Sequence, residues 1–444
     1  MFENCKIVIL GMARSGYEAA KVLIKRNNEV ILNDKNKNQD PKRVGELESL
    51  GVKVILGEHP KDLIDESVDY LIKNPGINDE HEIVKIARNL DIPVINEVEM
   101  AYRLLPKNVT IIGVTGSNGK TTTTSLIYEI LKNAKLPVKL AGNIGFPLCS
   151  ILNEINSGDI LLLEISIQQL CNFDEFKTNI AVFTNIYDAH LDFVGSKENY
   201  INIKKRIFNR HSKKDIAILN FDNKDVIVNT SDINSSKEYF STRNKELLCY
   251  LDGKNIVYNN NVLISVDDLL LRGSHNYENV MAAIMVAKAL NVSDELIVSA
   301  LKMFKSVEHR IEFVREINGV KVYNDSKATN VKATEIALSS FDEPTILLLG
   351  GLDRGHSFDD LTQYMKNVKL IVSYGETKNR IKAYADSIKI NCIVTDNLES
   401  ASKIALDNAL KGDIILLSPA CASWDQFKDF EERGRLFKQY INNK

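Results

Sequence analysis

The 444-residue chain is 44% hydrophobic and 26% charged, an ordinary globular composition that excludes disorder and collagen-like repeats. Its 56 basic and 59 acidic residues leave a formal charge of −3. That is too balanced for non-specific nucleic-acid binding, and no apolar run approaches the roughly 20 residues that span a bilayer.

At roughly 150 residues per domain, the length predicts three domains. Six cysteines without a C-x-x-C pair, and an N-terminus with no basic head, predict a reduced cytoplasmic chain without a signal peptide. Short β-branched runs alternate with longer helical stretches, the pattern of parallel α/β sheets. Lys6–Leu10 predicts a first strand, which Gly11-Met12-Ala13-Arg14-Ser15-Gly16 turns into a helix starting near Tyr17. Glu29–Leu32 is a second strand, ending at Asn33-Asp34, and Val68–Ile72 is another, closed by Asn74-Pro75-Gly76. The glycine turn, with Asp34 about 20 residues on, has the layout of a dinucleotide site but lacks its G-x-G-x-x-G spacing. Helix–strand packing and a nucleotide-phosphate site both remain open readings. This unit ends near Leu105-Pro106.

A second α/β unit opens with the strand Thr110–Val114 and runs to about Lys305, with short strands expected between about Asn229 and Asp267. Its first strand enters Gly113-Val114-Thr115-Gly116-Ser117-Asn118-Gly119-Lys120-Thr121-Thr122, and a helix follows directly. Backbone N–H groups at a helix start favour phosphate, Lys120 can neutralise its charge, and Thr121 can ligate Mg²⁺. Val114 stands where the strict G-x-x-x-x-G-K-[ST] pattern has its first glycine. The strand Asp159–Leu163 delivers Glu164 to its end, placed to organise Mg²⁺. The strand Ala181–Thr184 leads to His190, which reads either as a loop or cap histidine or as a ligand. Lys204 has Tyr200, Ile201, Ile207 and Phe208 three and four residues away, so it lies in the apolar stripe of its helix. It either snorkels outward or is desolvated with a depressed pKa, and a neutral amine can add CO₂ to become an anionic carbamate. Gly273–Asn279 opens a further helix, on which Asn276 and Asn279 either cap or hydrogen-bond a base or phosphate.

A third unit begins near Val307, with strands at Lys321–Tyr323, Thr345–Leu349, Lys369–Ser373 and Asp413–Leu417. Three of these strands run into polar loops: Asn324-Asp325-Ser326-Lys327-Ala328-Thr329-Asn330, Gly350–Gly355 and Ser418–Phe427. Such loops at strand C-terminal ends predict a ligand site. Cys421 has no evident His partner and reads as packing.

Together these motifs resemble the Mur ligase family over essentially the whole chain. Thr115–Thr122, Gly142-Asn143-Ile144-Gly145, Glu164-Ile165-Ser166, His190 and Gly273–Asn279 match motifs shared by its members. The loops Asn324–Asn330 and Ser418–Phe427 match the branch that adds D-glutamate. The resemblance implies three α/β domains: a Rossmann-like one over 1–105 for the UDP-precursor, a P-loop ATPase-like one over 106–306 and a Rossmann-like one over 307–444 for D-glutamate. It implies a cytoplasmic, monomeric, ATP-dependent amide ligase of peptidoglycan synthesis that takes UDP-N-acetylmuramoyl-L-alanine, D-glutamate and ATP. No nucleic acid and no membrane insertion are expected.

The resemblance further assigns Gly116, Ser117, Asn118, Gly119, Lys120, Thr121, Thr122, Asn276, Asn279, Arg310 and Asp325 to ATP. It gives Thr121, Glu164, His190 and a carbamylated Lys204 to two Mg²⁺ ions, and makes Lys120, His190, Lys204 and Lys327 catalytic. Arg14, Ser15, Asp34, Gly76, Asn143 and Gln169 would hold the precursor; Lys327, Thr329, Arg354, Ser423 and Phe430 would hold D-glutamate. Two departures stand out. Ile167 replaces the usual second serine, and Arg354 stands where relatives can carry lysine.

Overall fold

The computed structural model describes residues 1–60, 62–187 and 194–443. The chain divides into two compact units, Met1–Leu263 with Glu278–Ile297, and Ile264–Tyr277 with Val298–Lys444. Among the described residues no helix is long and apolar enough to cross a membrane.

The first unit carries two sheets. The N-terminal sheet is built from β1 (Lys6–Leu10), β2 (Glu29–Asp34), β3 (Lys53–Leu56), β4 (Tyr70–Lys73) and β5 (Val94–Ile95), in the order β3-β2-β1-β4-β5. All its pairs are parallel, which is the doubly wound order with a crevice between the C-terminal ends of β1 and β4. After Lys6, β1 is apolar and buried on both faces, Ile7 and Ile9 in one core cluster and Val8 and Leu10 in another. Sequence patterning places β1 to the residue, whereas β4 starts at Tyr70 and not at Val68, since Val68 closes a turn onto Asp65 O.

The central sheet has nine strands: β6 (Thr110–Thr115), β7 (Val138–Gly142), β8 (Ile160–Glu164), β9 (Ile180–Phe183), β10 (Ile216–Asn220), β11 (Ser236–Ser241), β12 (Cys249–Asp252), β13 (Asn255–Tyr258) and β14 (Asn261–Ser265). Its order is β14-β13-β12-β11-β10-β9-β6-β8-β7. β6 lies between β8 and β9, parallel to both, so the loops leaving these three strands emerge side by side.

One apolar cluster runs from the N-terminal sheet into the central one, including Leu23, Ile95, Val98, Leu148 and Ile165. A buried carboxylate adds direction to this docking. Glu99 accepts the backbone N–H groups of Asp174, Glu175 and Phe176 at 3.0, 2.9 and 3.0 Å and the Arg103 guanidinium at 2.7 Å.

The second unit holds a six-stranded sheet of β15 (Glu312–Ile317), β16 (Val320–Asn324), β17 (Thr345–Gly350), β18 (Val368–Tyr374), β19 (Cys392–Val394) and β20 (Ile414–Leu417), ordered β15-β16-β20-β17-β18-β19. Only β15 pairs antiparallel. β16, β20 and β17 are consecutive and parallel, so the three polar loops read from the sequence leave the same edge together.

Candidate active site

At the C-terminal edge of the central sheet, β6 ends in the loop Gly116–Gly119 and the helix Lys120–Asn133 begins. Gly119 adopts φ +81°, and a Cβ there would come within 2.3 Å of Asn279 Oδ1, so both the turn and the close approach demand glycine. No side chain caps the helix, and an uncapped helix N-terminus favours an anion. The N–H groups of Ser117 and Asn118 are instead held by Asn185, through its carbonyl at 2.9 Å and its Oδ1 at 2.8 Å. Asn185 thereby shapes the loop from the end of β9. The Lys120 ammonium donates to Gly116 O at 2.9 Å and Ser117 O at 3.0 Å. Thr121 is half-buried, and Thr122 is buried. Thr123, unmarked by the sequence reading, donates to Asn279 Oδ1 at 3.1 Å.

Beside this loop the structure places Lys204 and Glu164. Tyr200, Ile201, Ile207 and Phe208 are all buried, and Lys204 is itself 1% exposed, which rules out a snorkelling amine. Its Nζ donates to Gly116 O at 2.9 Å and Thr115 Oγ1 at 3.3 Å and lies 5.0 Å from the Tyr200 ring centroid. Burial first, then the Lys120 charge, holds the amine well below the ordinary lysine range, with Glu164 opposing. Glu164 ends β8; its Oε1 accepts from Asn143 Nδ2 at 2.7 Å, while its buried Oε2 has no hydrogen-bond partner. An orphaned carboxylate oxygen beside a phosphate loop is a hard donor of the kind Mg²⁺ takes, so these residues fit the ion. Among the described residues no group of three or more His, Cys, Asp or Glu stands together to hold a metal. His190 lies outside the described residues.

In the N-terminal sheet, a cavity of ≈ 260 Å³ opens at the ends of β1, β2 and β4 and includes Asp34. Asp34 Oδ2 accepts the Met12 N–H at 2.7 Å. Asn74 joins two further candidates, donating to Ser15 Oγ at 3.0 Å and accepting the Gly76 N–H at 3.0 Å. Arg14 is exposed at the start of its helix. Gln169 is buried, and its Oε1 accepts the Ser166 N–H at 2.9 Å to close a capping box.

In the second unit, Asn276 Nδ2 donates to Arg272 O at 2.6 Å. Asp325 is buried, with Oδ1 accepting the Ile311 N–H at 3.2 Å and Oδ2 accepting from Ser418 Oγ at 2.8 Å. Burial pushes its carboxyl up to about 7 against these bonds and the Arg310 and Arg433 charges. A cavity of ≈ 700 Å³ brings together Thr329 and Arg354, beside His356. The Arg354 guanidinium lies 4.8 Å from the Trp424 ring centroid, and no carboxylate pairs with it among the described residues. Lys327, Ser423 and Phe430 stand outside that cavity's lining; Lys327 Nζ sits 5.7 Å from the Phe430 ring centroid, and Ser423 is buried.

Residues 114–287 match the Mur ligase middle domain, and 309–421 match the Mur ligase glutamate ligase domain. The chain is 44% identical over 441 residues to the UDP-N-acetylmuramoylalanine–D-glutamate ligase of Geobacillus kaustophilus (strain HTA426), covering 98% of this chain and 97% of that protein. It is 42% identical over 445 residues to the enzyme of the same name from Bacillus cereus (strain AH820), at 99% and 98% coverage. The chain belongs to the Mur ligase family. Solved members share its fold: the UDP-N-acetylmuramate-alanine ligase of Thermotoga maritima superposes with TM-score 0.61 at 18% identity, covering 99% of this chain and 100% of that one. The MurF ligase of the same organism, in complex with ADP, gives TM-score 0.59 at 19% identity, with 99% and 96% coverage.

Besides Thr123 and Asn185, two features of this Mur ligase escaped sequence reasoning. Cys421 does have a histidine beside it, His356 Nε2 at 3.9 Å. Burial pushes the thiol up to about 11 and lowers the imidazole, both of which disfavour a thiolate–imidazolium pair, and Cys421 packs as expected. The other is Arg433, 0% exposed, which donates to Ser326 Oγ, Ser326 O and Cys421 O at 3.0, 2.8 and 3.0 Å. It ties two of the polar loops together, yet in sequence it is one charge among many on a helix. Arg433→Met is expected to leave buried carbonyls unpaired and cost roughly 3 kcal/mol. A denaturant midpoint matching the wild type would refute that role.

Ile167 is buried in the apolar cluster, so the departure from serine is absorbed as packing.

Proposed function

We propose that this Mur ligase adds D-glutamate to UDP-N-acetylmuramoyl-L-alanine at the expense of ATP, through an acyl phosphate, in peptidoglycan biosynthesis. The observation that carries the reading is the meeting of Lys120, Glu164 and the buried Lys204 around one loop, with Lys204 Nζ 2.9 Å from Gly116 O. The full-length similarity to D-glutamate ligases supports the choice of amino acid. Residues 1–105 would bind the precursor, 106–306 ATP and 307–444 D-glutamate, with one copy acting in the cytoplasm.

The carboxylate of the precursor attacks the γ-phosphoryl group in line, giving an acyl phosphate and ADP. The D-glutamate amine then attacks the acyl carbon and phosphate leaves. In this reading the N–H groups at the start of the helix Lys120–Asn133 bind the phosphates, and the Lys120 ammonium takes up developing negative charge. Thr121, Glu164, His190 and carbamylated Lys204 would hold Mg²⁺, which supplies charge neutralisation on the phosphates. Asn276, Asn279, Arg310 and Asp325 complete the proposed ATP contacts. Asn143 and Gln169 serve the muramoyl-alanine end of the precursor, and Arg14, Ser15, Asp34 and Gly76 its UDP end. Positioning two anionic substrates that repel each other is a large part of the catalysis.

Phosphate release with UDP-N-acetylmuramoyl-L-alanine and a panel of amino acids tests the function. D-glutamate should support turnover, and L-alanine, L-lysine or diaminopimelate should not; turnover with one of those and none with D-glutamate would overturn the assignment. Within the same reading, Arg354 is the cation of the ≈ 700 Å³ cavity that meets a D-glutamate carboxylate, the cavity's other cation, Lys332, being paired with Glu335 at 2.6 Å. Arg354→Ala should raise the KM for D-glutamate roughly 10²-fold, the scale of a charge-assisted contact, with the KM for ATP nearly unchanged. Equal changes in both would remove Arg354 from the pocket.

A further inference from the structure

The ≈ 260 Å³ cavity of the N-terminal sheet contains two histidines, His59 and His81, that the precursor set above does not include. Their rings meet edge to face with centroids 4.9 Å apart. Hydrogen bonds decide which nitrogen of each ring carries the proton. The Asn33 amide donates to Ile55 O at 3.1 Å and Glu58 O at 2.8 Å, so its Oδ1 faces His59 as an acceptor. His59 Nδ1, at 2.5 Å, is therefore the donor, and in the neutral ring Nε2 is left as an acceptor. His81 is arranged the other way. Its Nδ1 accepts the Ile83 N–H at 3.3 Å as the cap of the helix Glu82–Asn89, which puts the proton on Nε2. Burial, then His59, Lys35 and Lys73, hold His81 below the ordinary histidine range against the opposing Glu82. One imidazole acceptor and one imidazole donor thus stand side by side at the crevice where an open α/β sheet takes its ligand.

We propose that His59 and His81 read the base of the nucleotide precursor, His59 Nε2 accepting the N3–H of uracil and His81 Nε2–H donating to an adjoining carbonyl. Cytosine presents the inverse pattern, a bare N3 toward the acceptor and a 4-amino group toward the donor. A site built to hydrogen-bond a substrate rejects an analogue that leaves its polar groups unpaired. The inference rests on the UDP-precursor reading and adds the residues that make it uridine-specific.

Calorimetry on the full chain with UDP-N-acetylmuramoyl-L-alanine and its CDP counterpart tests the pair, with ligation of D-glutamate measured on the same samples. Wild-type protein should bind the uridine compound about tenfold tighter or more. His59→Phe retains a ring against His81, and His81→Asn retains a side-chain cap for the helix. Each should bring the uridine-to-cytidine ratio close to one, with affinity for the CDP compound near that of the wild type. A wild type without preference, a ratio unchanged in both variants, or a parallel loss of both compounds overturns the proposal, the last because it marks a merely structural role. Ligation by a wild type whose variants keep the ratio rejects only the histidine pair. A wild type that neither binds the UDP compound nor ligates rejects the ligase reading itself.

Discussion

Lys120→Ala is expected to abolish ligation, by about 10³-fold or more in kcat/KM, the upper range for losing one preorganised charge-stabilising donor, while precursor binding stays nearly intact. The ammonium donates to Gly116 O and Ser117 O of its own loop, at 2.9 and 3.0 Å, which holds it at the loop that would cradle the phosphates. Its loss removes charge where the transferred phosphoryl group gains it, which lowers kcat more than substrate affinity. The proposed UDP contacts lie at the ends of β1, β2 and β4, in another sheet. Calorimetry with UDP-N-acetylmuramoyl-L-alanine should give a Kd within about twofold of the wild type, well under the tenfold that 1.4 kcal/mol represents. A precursor affinity that collapses with activity would instead mean that the substitution unfolds the loop and its surroundings.

Lys204→Ala should be nearly as severe, with partial recovery when acetate or another short carboxylate is added. The amine is almost wholly buried and its ordinary charge is disfavoured there. Addition of CO₂ would convert it to an anion facing the same space as Glu164, whose Oε2 lacks a hydrogen-bond partner. A carbamate oxygen suits Mg²⁺ better than an amine does. A small carboxylic acid in the cavity left by alanine can stand in for that oxygen. In ¹³C-bicarbonate, active enzyme should show a carbamate resonance that disappears in the variant. No such resonance in active wild type would leave Lys204 as the buried donor to Gly116 O and Thr115 Oγ1, with no role as a ligand.

The phosphate loop was legible because its requirements are local. A strand end, three glycines, a lysine and a helix start occupy ten consecutive residues, Gly113–Thr122. The apolar stripe around Lys204 was legible for a similar reason, since helical periodicity alone surrounds it with Tyr200, Ile201, Ile207 and Phe208, whereas the choice between a snorkelling and a buried amine was made by the fold. Asn185 and Arg433 were not legible. Asn185 acts on Ser117 and Asn118 from another strand end, and Arg433 reaches loops that precede it by about a hundred residues and by twelve. The D-glutamate set was assigned by resemblance; of its members, Thr329 and Arg354 share one cavity lining, which does not include Lys327, Ser423 or Phe430.

By itself, then, the sequence determined the alternation of strand and helix, the phosphate loop, the acidic end of β8 and the apolar stripe around Lys204, all of which depend on neighbours within about one helical turn or one strand. Strand order was decided only in three dimensions, because crossovers leave no local mark: β20 slips between β16 and β17, and β6 between β8 and β9. That order is what brings the polar loops to one edge. The protonation of His59 and His81 is likewise a tertiary outcome, since it is set by Asn33, whose own amide is turned by the carbonyls of Ile55 and Glu58, and by the cap of a helix. A hydrogen bond between distant chain segments has no periodicity to betray it, and so only the folded chain settles which atom donates.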